Sequence, residues 1–106
     1  MVRVTINRRR HALIIKGHAG SAEPGHDLVC CAVSILAESL SRYLNTKMKD
    51  GALEMLMDHV EPGDVKIIAW PESTNEKQIG AVFEMIREGF QAMAEEYPKY
   101  ITLRED

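Results

Sequence analysis

Val2, Val4 and Ile6 alternate with Arg3 and Thr5, the period-two pattern of a strand with one buried face. Asn7 to His11 interrupts it with polar residues, and Ala12-Leu13-Ile14-Ile15-Lys16 reads as a second strand. Together they predict an antiparallel hairpin. After Leu28 the period changes. Val29, Val33, Leu36, Leu40, Tyr43 and Leu44 recur at helical spacing, which predicts an amphipathic helix from Asp27 to Met48, ended by Gly51. Leu53–Val60 and Val65–Trp70 read as two further strands joined by the turn Glu61-Pro62-Gly63-Asp64. Pro71 to Asn75 forms a loop before a second helix, whose buried face is Ile79, Val82, Phe83, Ile86, Phe90, Met93 and Tyr97. Pro98 stops that helix, and Tyr100 to Leu103 predicts a short last strand. The order predicts an α+β sandwich, one domain over residues 1–106, with an antiparallel or mixed sheet of about four to five strands packed with two helices.

Composition narrows the function classes. A chain of 106 residues can bury a single core without metals or disulfides. The net charge of -3 argues against bulk nucleic-acid affinity, so no direct nucleic-acid partner is expected. Arg8-Arg9-Arg10 is read as a solvated hairpin tip, with contact to RNA or an acidic partner as the rival. No apolar run is long enough to cross a bilayer, and the first residues lack the layout of a signal peptide. A cytoplasmic location without membrane contact is therefore expected. Two adjacent cysteines form no disulfide framework and are expected to be free thiols. Met48, Met55, Met57, Met85 and Met93 are expected in the core or in a dimer contact.

Cys30 is the leading chemical candidate. With Asp27 as helix cap it falls in the first turn, where the positive end of the helix favours a thiolate. The competing reading is a small buried apolar residue, the usual fate of a free cysteine. Cys31 points about 100° away round the helix, so the two thiols do not share one environment. Cys30 shares its stripe with Ser34, Ala37 and Ser41, small residues that leave room for a groove. His18, at the end of the second strand, is the candidate base, since an imidazole can activate a thiol and later protonate a leaving amine. His11, His26 and His59 compete for that role. The loop between His18 and Cys30 is punctuated by Gly20, Pro24 and Gly25, and reads as a lid or a plain surface connection. A zinc site from His18, His26, Cys30 and Cys31 lacks the regular ligand spacing of known sites, so neither metal nor cofactor is expected.

Gly17-His18-Ala19, five further residues, Gly25-His26-Asp27-Leu28-Val29-Cys30 and then Ala32-Val33-Ser34 resemble the motif of the bacterial ribosomal-processing cysteine proteases. The Glu61–Asp64 hairpin and the tail Tyr97-Pro98-Lys99-Tyr100-Ile101 extend the likeness over nearly the whole chain. The resemblance implies a cysteine endopeptidase that removes a short N-terminal extension from large-subunit ribosomal protein number twenty-seven. It makes Cys30 the nucleophile, His18 the general base and acid, and Asp27 the supporting acidic residue. It also implies a homodimer and a substrate loop closing over an extended peptide, made of Gly17, Ala19, Gly20, Gly25 and Ser34. The chain departs from the family at Cys31, where alanine or serine is more usual, and at the variable position His26. A ribosome-associated protein that binds the same peptide without cleaving it is the alternative. A redox sensor using both cysteines is a second rival.

Overall fold

The computed structural model describes residues 1–18 and 26–106, with the side chains of His26 and Asp27 outside the described set. The elements follow in the order β1 (Val2–Asn7), β2 (Ala12–Lys16), α1 (His26–Lys49), β3 (Leu53–Glu61), β4 (Asp64–Pro71), α2 (Glu76–Glu96) and β5 (Ile101–Glu105), with one 3-10 turn before α2. The five strands make one mixed sheet in the order β3-β4-β2-β1-β5. Every pairing is antiparallel except β1 with β5. The α+β class, the hairpin and both helices match the expectation. The strand order is new information.

That order makes both helices crossovers. β2 and β3 run the same way with β4 between them, bridged by α1; β4 and β5 run the same way with β2 and β1 between them, bridged by α2. Parallel crossovers are nearly always right-handed, which brings both helices to one face of the sheet. Val4, Ile6, Leu13, Ile15 and Ile67 point to that face and are almost fully buried. Phe83 and Phe90 of α2 and Leu40 and Leu44 of α1 meet them there. Gly51, at φ +82°, ends α1: its N–H donates to the Met48 carbonyl at 3.2 Å, and the Ala52 N–H donates to the Lys47 carbonyl at 2.9 Å. On β3 the helix-side position Asp58 is polar. Its carboxylate accepts from Ser41 Oγ at 2.7 Å and Asn45 Nδ2 at 2.6 Å, fastening α1 to the edge of the sheet.

No described element covers the opposite face of the sheet. Register places Met55, Met57, Ile68 and Trp70 on it together, and Met55, Met57 and Trp70 are exposed. Of the five methionines expected in a core or a contact, only Met93 is buried; Met48 and Met85 stand in solvent on the helices. The core reading fails for them because α1 and α2 each have only one face against the sheet.

His11 is the one buried polar residue among those described, at 6% exposed. Its φ of +53° closes the β1–β2 turn, where Asn7 Oδ1 accepts from the Arg9 and Arg10 amides. Its ring meets Phe83 edge-on with centroids 5.8 Å apart. Burial holds the His11 pKa below the ordinary histidine value, partly opposed by the Glu76 carboxylate. A histidine with a depressed folded-state value binds more protons when unfolded, so folding is fully stable above the unfolded value of about 6.5 and loses stability as pH falls through and below it. His11→Asn, which tolerates the left-handed backbone, is expected to flatten the stability–pH curve below about pH 6.5 in urea titrations. An unchanged slope would remove His11 from this role.

Candidate active site

β2 lies antiparallel to β4, so its C-terminal end meets the β3–β4 turn at the pair Lys16–Asp64. The Lys16 ammonium hydrogen-bonds Asp64, and one residue on, the Gly17 N–H donates to the Gly63 carbonyl at 3.0 Å. This carries the ladder past the formal end of the strand. The exposed His18 follows, its carbonyl accepting from the Met1 ammonium at 2.6 Å. The end of β2 is thus held to the turn on one side and to the start of β1 on the other.

α1 starts from the same end of the sheet, because it follows β2. Its stripe Cys30, Val33, Ser34, Ala37 and Glu38 forms one wall of a cleft of about 160 Å³. Val60, Glu61, Pro62 and Gly63 form the other wall, with Gly17 and His18 at its end. The predicted pair Cys30 and His18 therefore opens onto one cavity. Cys30 is half-buried and Cys31 exposed, and neither forms a disulfide. Ser34 belongs to the helical wall, not to the loop.

Two sequence expectations change. α1 begins at His26, so Asp27 lies inside the helix and not at its cap. Cys30 becomes the fifth residue of α1, where the field of the helix end, confined to the first turn, has fallen away. Ser41, expected beside a groove, instead bonds Asp58. Ala19, Gly20 and Gly25, and the Asp27 side chain, lie outside the described residues.

The other histidines are placed elsewhere, His26 excepted as undescribed. His11 precedes β2 and His18 follows it, so about 17 Å of strand separates them. His59 is on the hairpin that reaches His18, but it pairs with Lys66 on the uncovered face while Val60 and Val65 turn to the cleft. Its Nε2 lies 3.3 Å from Asp64 Oδ2 and 3.8 Å from Glu61 Oε2. These three residues bring potential metal-ligand atoms within 4.8 Å of one another. Lys16 already engages Asp64, and its hydrogen bond holds the Asp64 carboxyl below the usual range, with His59 adding to the effect. Lys16 and Asp64 pair at the turn, with His59 and Glu61 beside them. Sequence reasoning missed the turn and Glu38 as cleft walls, since nothing local in Glu61-Pro62-Gly63 signals that β4 pairs with β2.

With a thiol and an imidazole lining one cleft, comparison with known proteins becomes decisive. A sequence model of the cysteine protease Prp matches residues 1–102. The chain belongs to the Prp family of cysteine proteases. Among solved structures it is similar to an essential ribosomal processing protease Prp from Staphylococcus aureus bearing a covalently linked product peptide. That likeness has a TM-score of 0.73, 22% identity and 100% coverage of both chains. The same protease with a substrate peptide gives 0.72, at 20% identity and again full coverage of both. SMU.848 from Streptococcus mutans gives a TM-score of 0.67 at 26% identity, covering 98% of this chain and 90% of the other. At these identities the structures establish the Prp fold. A comparison with curated protein sequences finds no significant match. Among the described residues no helix is long and apolar enough to cross a membrane.

Proposed function

We propose that this Prp-family protease removes the N-terminal extension of a large-subunit ribosomal protein, with Cys30 as nucleophile and His18 as general base. The observation that carries the reading is the shared cleft: both side chains open onto the space between α1 and the β3–β4 turn. The Staphylococcus aureus relatives, described as ribosomal processing proteases with substrate or product peptide bound, support the class of substrate.

His18 takes the thiol proton as Cys30 Sγ attacks the scissile carbonyl carbon. The tetrahedral oxyanion collapses, the C–N bond breaks, and the His18 imidazolium gives its proton to the departing amine. A water then enters, His18 removes its proton, and hydroxide attack releases the acid from the Cys30 thioester. Asp27 is the supporting acidic group. The walls Val33, Val60 and Val65 supply apolar contact for an extended substrate. The precursor is met in the cytoplasm, where ribosomal proteins are made.

The direct test incubates the protein with a peptide spanning the extension junction and follows it by mass spectrometry. One cut, releasing the extension, is the expected result. Tight binding with no cut by the native protein would favour the non-catalytic binder instead.

A homodimer through the uncovered sheet face completes the proposal. Met55, Met57 and Trp70 are 51%, 42% and 36% exposed on that face, beside a groove of about 670 Å³ whose lining mixes Ile14, Ile68 and Trp70 with Arg9, Arg10 and Lys66. Apolar side chains clustered on one face are the mark of an interface, and a stable one needs roughly 800 Å² per partner. Sedimentation should show a dimer for the native chain and a shift toward monomer for Met57→Glu. A native monomer at micromolar concentration contradicts this.

A further inference from the structure

The β3–β4 turn contributes more than a wall. Pro62 followed by Gly63, with Gly63 at φ +73°, is the arrangement of a type II turn, which asks for a residue able to adopt positive φ. Glycine meets that demand, but so does asparagine. In the surroundings of Gly63, asparagine could keep this φ only by displacing the His18 ring. A Cβ at Gly63 would fall on the His18 imidazole, 2.5 Å from its Cε1, 3.0 Å from its Cδ2 and closer still to its Nε2. The ring thus occupies the volume that any other residue's side chain would fill. The backbone beneath is held, since the Gly17 N–H bonds the Gly63 carbonyl and, next to it, Lys16 bonds Asp64.

We propose that Gly63 is a positioning residue of the active site: its bare α-carbon seats the His18 imidazole against the β3–β4 turn and sets its orientation toward the cleft. The inference rests on His18 being the general base. A base must lie within hydrogen-bond reach of the proton it moves, and misplacing a catalytic group by about 1 Å can cost on the order of 100-fold in rate. Gly63 lines the cleft but has no side chain with which to do chemistry; its role is exerted through the His18 ring packed against it.

Gly51 provides an internal control. It has a similar φ of +82°, yet among the described residues nothing lies within 4 Å of where its Cβ would stand. Gly63→Asn and Gly51→Asn therefore impose comparable backbone demands, and only the first pushes on a catalytic group. For Gly63→Asn we expect kcat to fall about 100-fold with KM changed less than about threefold, and the pH profile of kcat to shift. The His18 imidazole resonances should move in the substrate-free protein. Gly51→Asn should leave kcat, pH profile and His18 resonances as in the native chain. A folded Gly63→Asn with native kcat or native His18 resonances overturns the proposal. Should that variant fail to fold, the native protein decides: nuclear Overhauser contacts between the His18 ring and the Gly63 α-protons are expected, and their absence overturns it. The resonance readings need no substrate. If His18 moves in Gly63→Asn while the native protein cuts no ribosomal peptide, the seat stands and the assignment of the reaction falls.

Discussion

Cys30→Ala is expected to abolish measurable cleavage of the ribosomal precursor peptide, and His18→Ala to lower it by about 10²- to 10⁴-fold, the usual contribution of a positioned base. Removing the sulfur removes the acyl-enzyme route altogether, whereas removing the imidazole leaves the fraction of thiol that ionises on its own. The two losses should not add, because they interrupt one proton-coupled step; Cys30→Ala/His18→Ala should be no slower than Cys30→Ala. The reason to expect intact folding is local. Cys30 is only half-buried at the cleft, and His18 is exposed at the end of β2, so neither truncation opens a core cavity. Cys31→Ala is the matched control: that thiol is exposed and does not line the cleft, so its rate should stay within about twofold of native. Initial rates by mass spectrometry, with thermal melts in parallel, check all four proteins. A large rate loss in Cys31→Ala would move the nucleophile one residue along α1.

The largest stability effect is expected from Phe83→Ala. Phe83 is 0% exposed, stands in the middle of α2's buried face and meets the His11 ring edge-on. Truncating a fully buried phenylalanine costs about 3–5 kcal/mol, from lost transfer energy plus the cavity left behind. Against a total stability of about 5–15 kcal/mol for a domain of this kind, that is a large share. Both sides of the cavity are anchored, by the β1–β2 turn through His11 and by the sheet, so little collapse can offset it. Urea denaturation should show a lower midpoint with an unchanged slope. A cost under about 1 kcal/mol would mean that Phe83 is not a central packing residue.

The elements were largely legible in the chain. Alternation in Val2–Ile6, helical recurrence from Val29 to Leu44 and the Pro62-Gly63 turn each carry their own local physics, and the structure places elements there. Pairings between distant segments were not legible. β2 lies beside β4, and β5 runs parallel to β1, only because two crossovers return the chain to one sheet. Nothing in Ala12–Lys16 names that neighbour. The site divides the same way. Cys30 and His18 were visible as residue types flanking a loop, and the motif resemblance singled them out. Gly63 was visible only as a turn residue, because its contact with His18 depends on the β2–β4 pairing. Asp27 was read as a cap from residue type, a rule that places helix starts only to within a residue or two, and the helix begins one residue earlier.

The central claim is that Cys30, across the cleft from the turn that holds His18, is the nucleophile toward a bound peptide. A halomethyl ketone built on the residues preceding the cleavage site, followed by digestion and tandem mass spectrometry, tests it most directly. One equivalent of label on Cys30, slowed by excess precursor peptide and strongly slowed in His18→Ala, is the predicted result. Label on Cys31, or labelling of Cys30 that neither the precursor nor loss of His18 affects, would contradict it.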